Sequence, residues 1–456
     1  MSGVRPVGPD LLPPGPLIRR PVISRTGRGE HRGGARDVFV GLLLGVLAVS
    51  NLVQAMWIEN LPWLDLTSAS FVLILCVIAV ELFRPGIVRR HLPLLASLLF
   101  AVALGYYKVG LNPGATEKRW EIVPGVLVTV LAGYLLMTNA TRVKVFAATV
   151  VVQACMVAAA IVVIPDPGLA AVSGRTSPIG LNPIASGRIL ACGALILICL
   201  GSQHADTIRG RLGILLAVPL VTAAVATGSR GPLMALLLAV ALVVIRRRAG
   251  SWLARVSLII IGSSLCGLLI NSLTASNSRL ADLNDPVRQG LLTESTKIAL
   301  QHPFGLGWGN LYNYLPAWAN LPMQGYNQYP HNILVEFMVE GGWLSALLFV
   351  VFGAGVLKVG WLRADDPSAR LLLALAAYAM VSAMLSSDLV GSRLLWVVAG
   401  ASLATLQRPV TGGLSEGELL REPAPAASRP VPPRAEPSTS RQHRTGPRPH
   451  PAPTSS

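Results

Sequence analysis

The sequence predicts an all-α, polytopic membrane protein with about twelve transmembrane helices. The chain has 456 residues, of which 52% are hydrophobic and only 13% are charged, whereas soluble domains average about 25% charged residues. Apolar runs that could each cross about 30 Å of hydrocarbon follow one another along the chain, and basic residues cluster between several of them. This composition argues against an ordinary cytosolic enzyme.

The apolar runs define the predicted helices in order. The first run is long enough to span the bilayer and follows a long basic arm, so a cleavable signal peptide is not expected. The second, seventh and twelfth runs are the shortest. The predicted spans are 38–58, 68–83, 92–110, 122–139, 143–164, 183–201, 211–226, 231–248, 252–273, 331–357, 371–388 and 391–406.

The loops between these spans follow the positive-inside rule. With the N-terminus inside, the five cytoplasmic loops and the span ends beside them carry 14 basic residues, and the first outer loop, 59–67, has two acids and no cation. The exception is the outer loop 111–121, which holds Lys118 and Arg119. We therefore expect both termini in the cytoplasm.

The flanking segments complete the predicted domain organisation. Residues 1–37 are rich in Pro, Gly and Arg and lack apolar periodicity, which predicts a disordered cytoplasmic arm. Residues 407–456 contain 11 prolines and mixed charge, which predicts a flexible cytoplasmic tail. The transmembrane domain is expected over 38–406. The net charge of +16 then reflects tails and orientation signals, so nucleic acid is not an expected partner.

A long outer segment, 274–330, separates the ninth and tenth predicted spans. Its 57 residues exceed the usual length of a connection between elements, and they include two tryptophans and four tyrosines. Because disordered segments contain few aromatic residues, this segment is predicted to fold as an extracytoplasmic lid.

Four arginines of the predicted outer side are candidates for ligand binding, because the topology rule does not require cations there. Arg230 follows the small residues 227–229 and opens the eighth span, where helix amides and a guanidinium favour a phosphate; interfacial snorkelling is the alternative. Arg175 precedes the sixth span and Arg188 falls inside it, where a cation needs either a structural partner or an aqueous cavity with a ligand. For Arg288, in the long loop, a solvated surface charge is the simpler interpretation.

Three titratable residues lie where the long loop re-enters the predicted membrane. His331 opens the tenth span, and an imidazole at such a boundary suits proton transfer, although a structural role is the alternative. Glu336 and Glu340 follow at i, i+4 on one helical face. Intramembrane carboxylates usually face the bundle interior, so we expect them either at the substrate site or paired with one of the arginines.

The sequence lacks the motifs of several cofactor-dependent classes. It has no Walker loop, which argues against a built-in ATP motor. No cluster of His, Cys and Asp has the spacing of a metal site. No cofactor and no metal ion are therefore expected.

Three motifs occur in a fixed order: Thr-Gly-Ser-Arg-Gly at 227–231, His-Pro-Phe-Gly-Leu-Gly-Trp-Gly-Asn at 302–310 and His-Asn-Ile-Leu-Val-Glu at 331–336. The first precedes a pair of apolar spans, and the other two lie in and after the long outer loop. In order, spacing and topology, the chain resembles the O-antigen ligase and polymerase family of bacterial envelope glycosyltransferases. The resemblance covers roughly residues 120–400 and is strongest from 227 to 345.

The resemblance implies an enzyme at the outer face of the bacterial inner membrane. Such an enzyme transfers a glycan from an undecaprenyl-pyrophosphate carrier to a sugar hydroxyl of a glycan or glycolipid acceptor, without a metal ion. It also implies that Arg230 grips the pyrophosphate, that Arg288 matches the family's loop arginine, and that His331 assists the acceptor hydroxyl. The further candidates for substrate binding are Arg175, Arg188, Glu336 and Glu340.

Two questions stay open at the level of sequence. Twelve spans with intramembrane Arg and Glu also suit a transporter or flippase for a polyprenyl-linked glycan or an anion. Such proteins bind at the midplane, often between paired repeats, and the sequence shows no clear repeat between its halves. The motifs do not separate a polymerase, which joins repeat units, from a ligase, which moves a finished chain.

Overall fold

The computed structural model describes residues 34–57, 66–82, 91–168, 175–179, 181–204, 206–247, 286–319 and 329–404. In these ranges the regular secondary structure is helical apart from one isolated β-bridge, in agreement with the predicted class. The predicted ninth span, 252–273, and the predicted tail, 407–456, lie outside the described residues. Most of the predicted arm 1–37 and part of the loop 274–330 lie outside them as well.

The helices of the described ranges are numbered α1 to α13 along the chain. Their bounds are α1 Ala35–Trp57, α2 Leu66–Leu82, α3 Leu92–Leu104, α4 Pro113–Leu136, α5 Ala140–Val163, α6 Pro183–Gln203, α7 Ile208–Ala226, α8 Arg230–Arg247, α9 Pro286–Gln301, α10 Ile333–Glu336 with its π-helical continuation Phe337–Gly341, α11 Trp343–Leu362, α12 Pro367–Ser386 and α13 Arg393–Ala404. Two short 3₁₀ turns, Leu311–Tyr314 and Ala317–Ala319, follow α9.

Six helices in the described part of the chain are long and apolar enough to cross a membrane, namely α4, α5, α6, α7, α11 and α12. The apolar part of α2, together with α3 and α13, is shorter. Most predicted spans coincide with a helix to within a few residues. The count of twelve stays a prediction, as does the side of the membrane on which the long loop lies.

The fourth helix begins earlier than the sequence predicts. Residues 111–121 are predicted as an outer loop, but α4 already begins at Pro113. The Asn112 side chain caps this start, because its Oδ1 accepts a hydrogen bond from the Ala115 amide at 2.7 Å. Proline suits the first helical position, where no amide hydrogen is needed. Lys118 therefore lies on a helix and not in a loop.

The predicted tenth span, 331–357, is not a single helix. The chain forms the short α10, which ends in a π turn, and begins α11 after Gly342. Gly342 has a φ of 88°, a left-handed conformation that glycine adopts without the steric cost met by other residues. Because a helix as short as α10 is not stable alone, its position depends on contacts with other elements.

The long helices pack into one apolar core. α6 lies against α7, α1 against α5, α8 against α12, and α4 against α13. In the last pair the backbones approach closely: a Cβ atom added to Gly400 would lie 2.0 Å from the Val130 carbonyl oxygen, and one added to Gly133 would lie 2.1 Å from that of Val397. A smaller apolar cluster joins α9 and the turns after it to α10.

Candidate active site

The N-terminal ends of α6 and α8 meet beside Arg230, which is the first residue of α8. The turn before it packs against α6, since a Cβ atom added to Gly187 would lie 2.8 Å from Thr227 Oγ1 and 3.2 Å from Ser229 Cβ. Arg175 covers the same turn, donating from Nε to the Thr227 carbonyl and from a terminal nitrogen to Ser229 Oγ, both at 3.0 Å. The structure thus brings Arg175 and Arg230 to one turn.

The side chain of Arg188, a residue of α6, contacts the C-terminal end of α12. Its terminal nitrogens donate to the carbonyl oxygen and Oγ of Ser386 and to Oγ of Ser387. The last carbonyls of a helix lack partners within the helix and carry partial negative charge, so they suit a guanidinium. The Arg188 Nε is buried without a hydrogen-bond partner. Arg188 is thus held by a helix end while one of its donors stays unused.

Arg288 and His331 border the same region. Arg288, Tyr329 and Asp388 all lie within electrostatic range of Arg188. Burial raises the pKa of Tyr329 to about 12, and the Asp388 carboxylate adds to this effect, so the phenol stays neutral near physiological pH. The rings of Tyr329 and His331 meet edge-on with centroids 4.4 Å apart. The tyrosine therefore lies beside the histidine and within electrostatic range of Arg188 and Arg288.

The glycine-rich segment 302–310 docks on α10. Its three glycines have φ values of 83°, 86° and 79°, which side-chain-bearing residues rarely adopt. This backbone conformation directs two amides toward the C-terminal end of α10. Leu306 donates to the Val339 carbonyl at 2.9 Å, and Gly307 donates to the Glu340 carbonyl at 2.8 Å. The segment therefore caps α10.

Trp308 anchors the same segment to α3. The side chain is fully buried, and its Nε1 donates to the Val102 carbonyl at 2.7 Å. The Trp308 backbone amide donates to the Gly105 carbonyl at 2.9 Å, and its ring meets Phe337 of α10 edge-on at 5.5 Å. Asn310 makes three further hydrogen bonds to backbone groups. The segment thus ties α10 to α3.

His331 immediately precedes α10. Asn332 caps this helix, because its Oδ1 accepts from the amides of Leu334 and Val335 at 3.0 and 3.1 Å. His331 has a φ of 56° and is the one non-glycine residue with a positive φ in the described ranges. Such backbone conformations persist where the surroundings enforce them, and they are common at active sites.

The two glutamates of α10 are fully buried and share one lysine. Lys118 Nζ lies 2.6 Å from Glu336 Oε1 and 2.6 Å from Glu340 Oε2. Glu336 also accepts a hydrogen bond from the Leu389 amide at 2.7 Å, in the turn between α12 and α13. The expected alternative, in which these carboxylates pair with an arginine, is wrong: their partner is the lysine of α4.

A cavity of about 210 Å³ lies beside Arg188. It is lined by residues of α1, α6, α12 and α13, and α1 is kinked at Val49, which lines it. Arg188, Arg393 and Ser387 supply charged and polar groups to the cavity wall, whereas most of the wall is apolar, as at Leu395. The cavity thus combines the two properties that bind an amphiphilic anion.

Sequence reasoning missed several residues of this region. One feature of the sequence pointed to Lys118: it lies in the predicted outer loop that is the exception to the positive-inside rule. Ser387, Asp388 and Arg393 lie at the ends of predicted apolar spans, and the polar run 386–388 was the signal available for them. These residues become significant only through contacts with distant parts of the chain.

Comparison with known proteins finds one family model that matches part of this chain. Residues 215–350 match the family model described as O-antigen ligase. Over these residues the chain is similar to the O-antigen ligase family. The matched segment runs from α7 into α11 and includes Arg230, Arg288, His331 and both glutamates of α10. No curated protein and no solved structure matches the chain.

The match confirms the resemblance found in the motifs. The apolar helices indicate a multi-pass membrane protein, and the matched segment supports a role in cell-envelope polysaccharide synthesis of the ligase or polymerase type. The family implies a lipid-linked glycan and an acceptor as substrates.

Proposed function

We propose that this protein transfers a glycan from undecaprenyl pyrophosphate to a sugar hydroxyl at the outer face of the bacterial inner membrane, with both termini in the cytoplasm. The acceptor oxygen attacks the anomeric carbon, and the bond between that carbon and the pyrophosphate oxygen breaks. The hydroxyl proton passes to His331, and undecaprenyl pyrophosphate leaves. General-base assistance of this kind contributes about 10²–10⁴-fold to a rate.

The arginines that the structure brings together, with Tyr329 and His331 beside one group of them, are the observation that carries this proposal. Arg175 and Arg230 share the turn that opens α8, and Arg188 lies within electrostatic range of Arg288. Guanidinium groups bind phosphate oxygens through paired hydrogen bonds. Because pyrophosphate is already a good leaving group, catalysis depends mainly on positioning and on neutralising its charge.

The cavity beside Arg188 suits the lipid part of the donor. Its apolar wall matches the first hydrocarbon units of the carrier, and the lining residues Arg188 and Arg393 match the phosphates that join them. The unused Nε of Arg188 supplies a donor for a phosphate oxygen. The proposal therefore places the donor with its lipid in the bundle and its sugar beside His331.

Deletion of the gene tests this function through the glycans of the cell surface. Loss of long chains with retention of single units indicates a polymerase, and accumulation of long chains on the lipid carrier indicates a ligase. Complementation with Arg230→Ala, Arg288→Ala or His331→Ala should fail to restore the profile.

Two matched variants serve as controls for complementation. Arg246→Ala removes an arginine from the other end of α8, where it pairs with Asp365 at 2.8 Å. Lys297→Ala removes an exposed cation from α9, the helix of Arg288. Both should restore the wild-type profile. An unchanged profile after deletion contradicts the transferase, and donor trapped on the inner leaflet supports the transporter alternative.

The transfer is proposed to need no metal ion, as the family resemblance implies. The arginines supply the positive charge that a divalent ion supplies to other phosphate-leaving reactions. Purified protein should therefore keep its transfer rate in excess EDTA, and a loss that Mg²⁺ or Mn²⁺ restores would contradict this part of the proposal.

A further inference from the structure

Two caps and one ion cluster are among the described contacts that hold the short helix α10. Asn332 caps its first turn, and the segment 302–310 caps its last carbonyls. Between these ends, Lys118 bridges Glu336 and Glu340 with Nζ–O distances of 2.6 Å each. The ion cluster joins α10 to α4, and the Leu389 amide extends it to the turn between α12 and α13.

Stability alone does not account for this cluster. Both carboxylates are fully buried and the lysine side chain is 12% exposed, so all three charged groups lose most of their hydration on folding. Replacing buried ion pairs by neutral groups of similar volume is often neutral or stabilising, whereas charged partners fix geometry in some proteins. A buried cluster of this kind is therefore better explained by what it positions than by the free energy of folding.

The residue that it positions lies at the start of the same helix. His331 precedes α10 and has a backbone φ of 56°, a conformation that needs enforcement by its surroundings. α10 is too short to hold its own place. Moving the helix relative to α4 would move the imidazole relative to the arginines around Arg188, which belong to other elements.

We propose that Lys118 is a positioning residue for transfer: through Glu336 and Glu340 it fixes α10, and thereby His331, against the donor site. This inference rests on the proposed role of His331 as the base. Lys118 does not touch the substrate in this proposal, so its removal should lower kcat and leave the KM for the lipid-linked donor nearly unchanged.

A set of variants separates positioning from folding. Lys118→Met leaves two buried carboxylates without their cation. This variant is expected to fold poorly whether the lysine has a positioning role or a purely structural one, so it does not separate the two. The triple variant Lys118→Met/Glu336→Gln/Glu340→Gln removes all three charges at nearly constant volume. It should therefore fold with a melting temperature close to that of the wild type.

Steady-state transfer by purified protein in proteoliposomes decides the question. We expect the triple variant to lose about 100-fold in kcat, the scale of a misplacement of about 1 Å, with an unchanged donor KM. The control Glu294→Gln/Lys297→Met removes an exposed lysine–glutamate pair from α9 and should keep wild-type kinetics. A triple variant with wild-type kcat, or one that no longer folds, overturns the inference.

His331→Ala in the same assay keeps the two proposals apart. If it loses activity while the triple variant is fully active, only the positioning role of Lys118 is refuted. If His331→Ala keeps the wild-type kcat, His331 is not the general base, and the inference that Lys118 positions it is refuted as well.

Discussion

Replacing Trp308 by alanine tests how the glycine-rich segment holds α10 to the helical core. The indole is fully buried between α3 and α10, and its Nε1 donates to the Val102 carbonyl at 2.7 Å. Truncating a buried tryptophan costs about 3–5 kcal/mol through lost contacts and the cavity left behind. The lost hydrogen bond adds about 1 kcal/mol. Trp308→Ala should therefore lower the free energy of unfolding by about 4–6 kcal/mol.

Unfolding in mixed detergent micelles, followed by circular dichroism, measures this loss. Trp308→Phe keeps most of the ring contact and should lose less than half as much. Trp120→Ala is the matched control, because that side chain is 77% exposed and exposed substitutions usually change stability by about 0.5 kcal/mol or less. A Trp308→Ala protein as stable as the Trp120→Ala protein would refute the anchoring role.

Three further predictions concern other parts of the structure. Gly400→Val should lower the melting temperature in detergent, because its Cβ would lie 2.0 Å from the Val130 carbonyl oxygen, whereas Gly34→Ala, with no atom within 4 Å, should not. Asn332→Ala should cost about 1 kcal/mol through the lost cap and lower the kcat of transfer; wild-type kcat would show that the cap does not position His331. Because the pKa of Tyr329 is raised from 10.0 to about 12, the folded protein binds that proton more tightly than the unfolded chain. The stability that this proton contributes is present below about pH 10 and is lost as the pH rises to about 12. Tyr329→Phe should therefore reduce the fall of the unfolding free energy with pH over that range. Equal slopes of unfolding free energy against pH in the wild type and the variant would contradict this prediction.

The helical class could be predicted from sequence because apolar runs and basic clusters are local signals. Most predicted spans therefore agree with helices of the described ranges. The errors lie where polar residues belong to helices. Residues 111–121 contain four charges at 117–119 and 121, which hydropathy assigns to a loop, yet Asn112 and Pro113 start a helix there. The break at Gly342 was hidden because apolar residues lie on both sides of it.

The candidate site was predictable only in part. Motif order pointed to Arg230 and His331, since short segments with glycine and proline leave a readable pattern. The partners of the buried glutamates were not predictable, because Lys118 is more than 200 residues away in sequence from both. Packing of distant parts of the chain brings these charges of α4 and α10 together, and one sequence read alone carries no sign of such a pairing.

The most direct test of the central claim is a single turnover with purified protein in proteoliposomes. The donor is a glycan on undecaprenyl pyrophosphate with labels on both the sugar and the lipid, and the acceptor is a glycan from the same envelope polymer. The sugar label is expected to move to the acceptor while labelled undecaprenyl pyrophosphate is released in equal amount. His331→Ala and Arg230→Ala should slow both steps together. Donor that crosses the membrane intact, or transfer that neither variant slows, would contradict it.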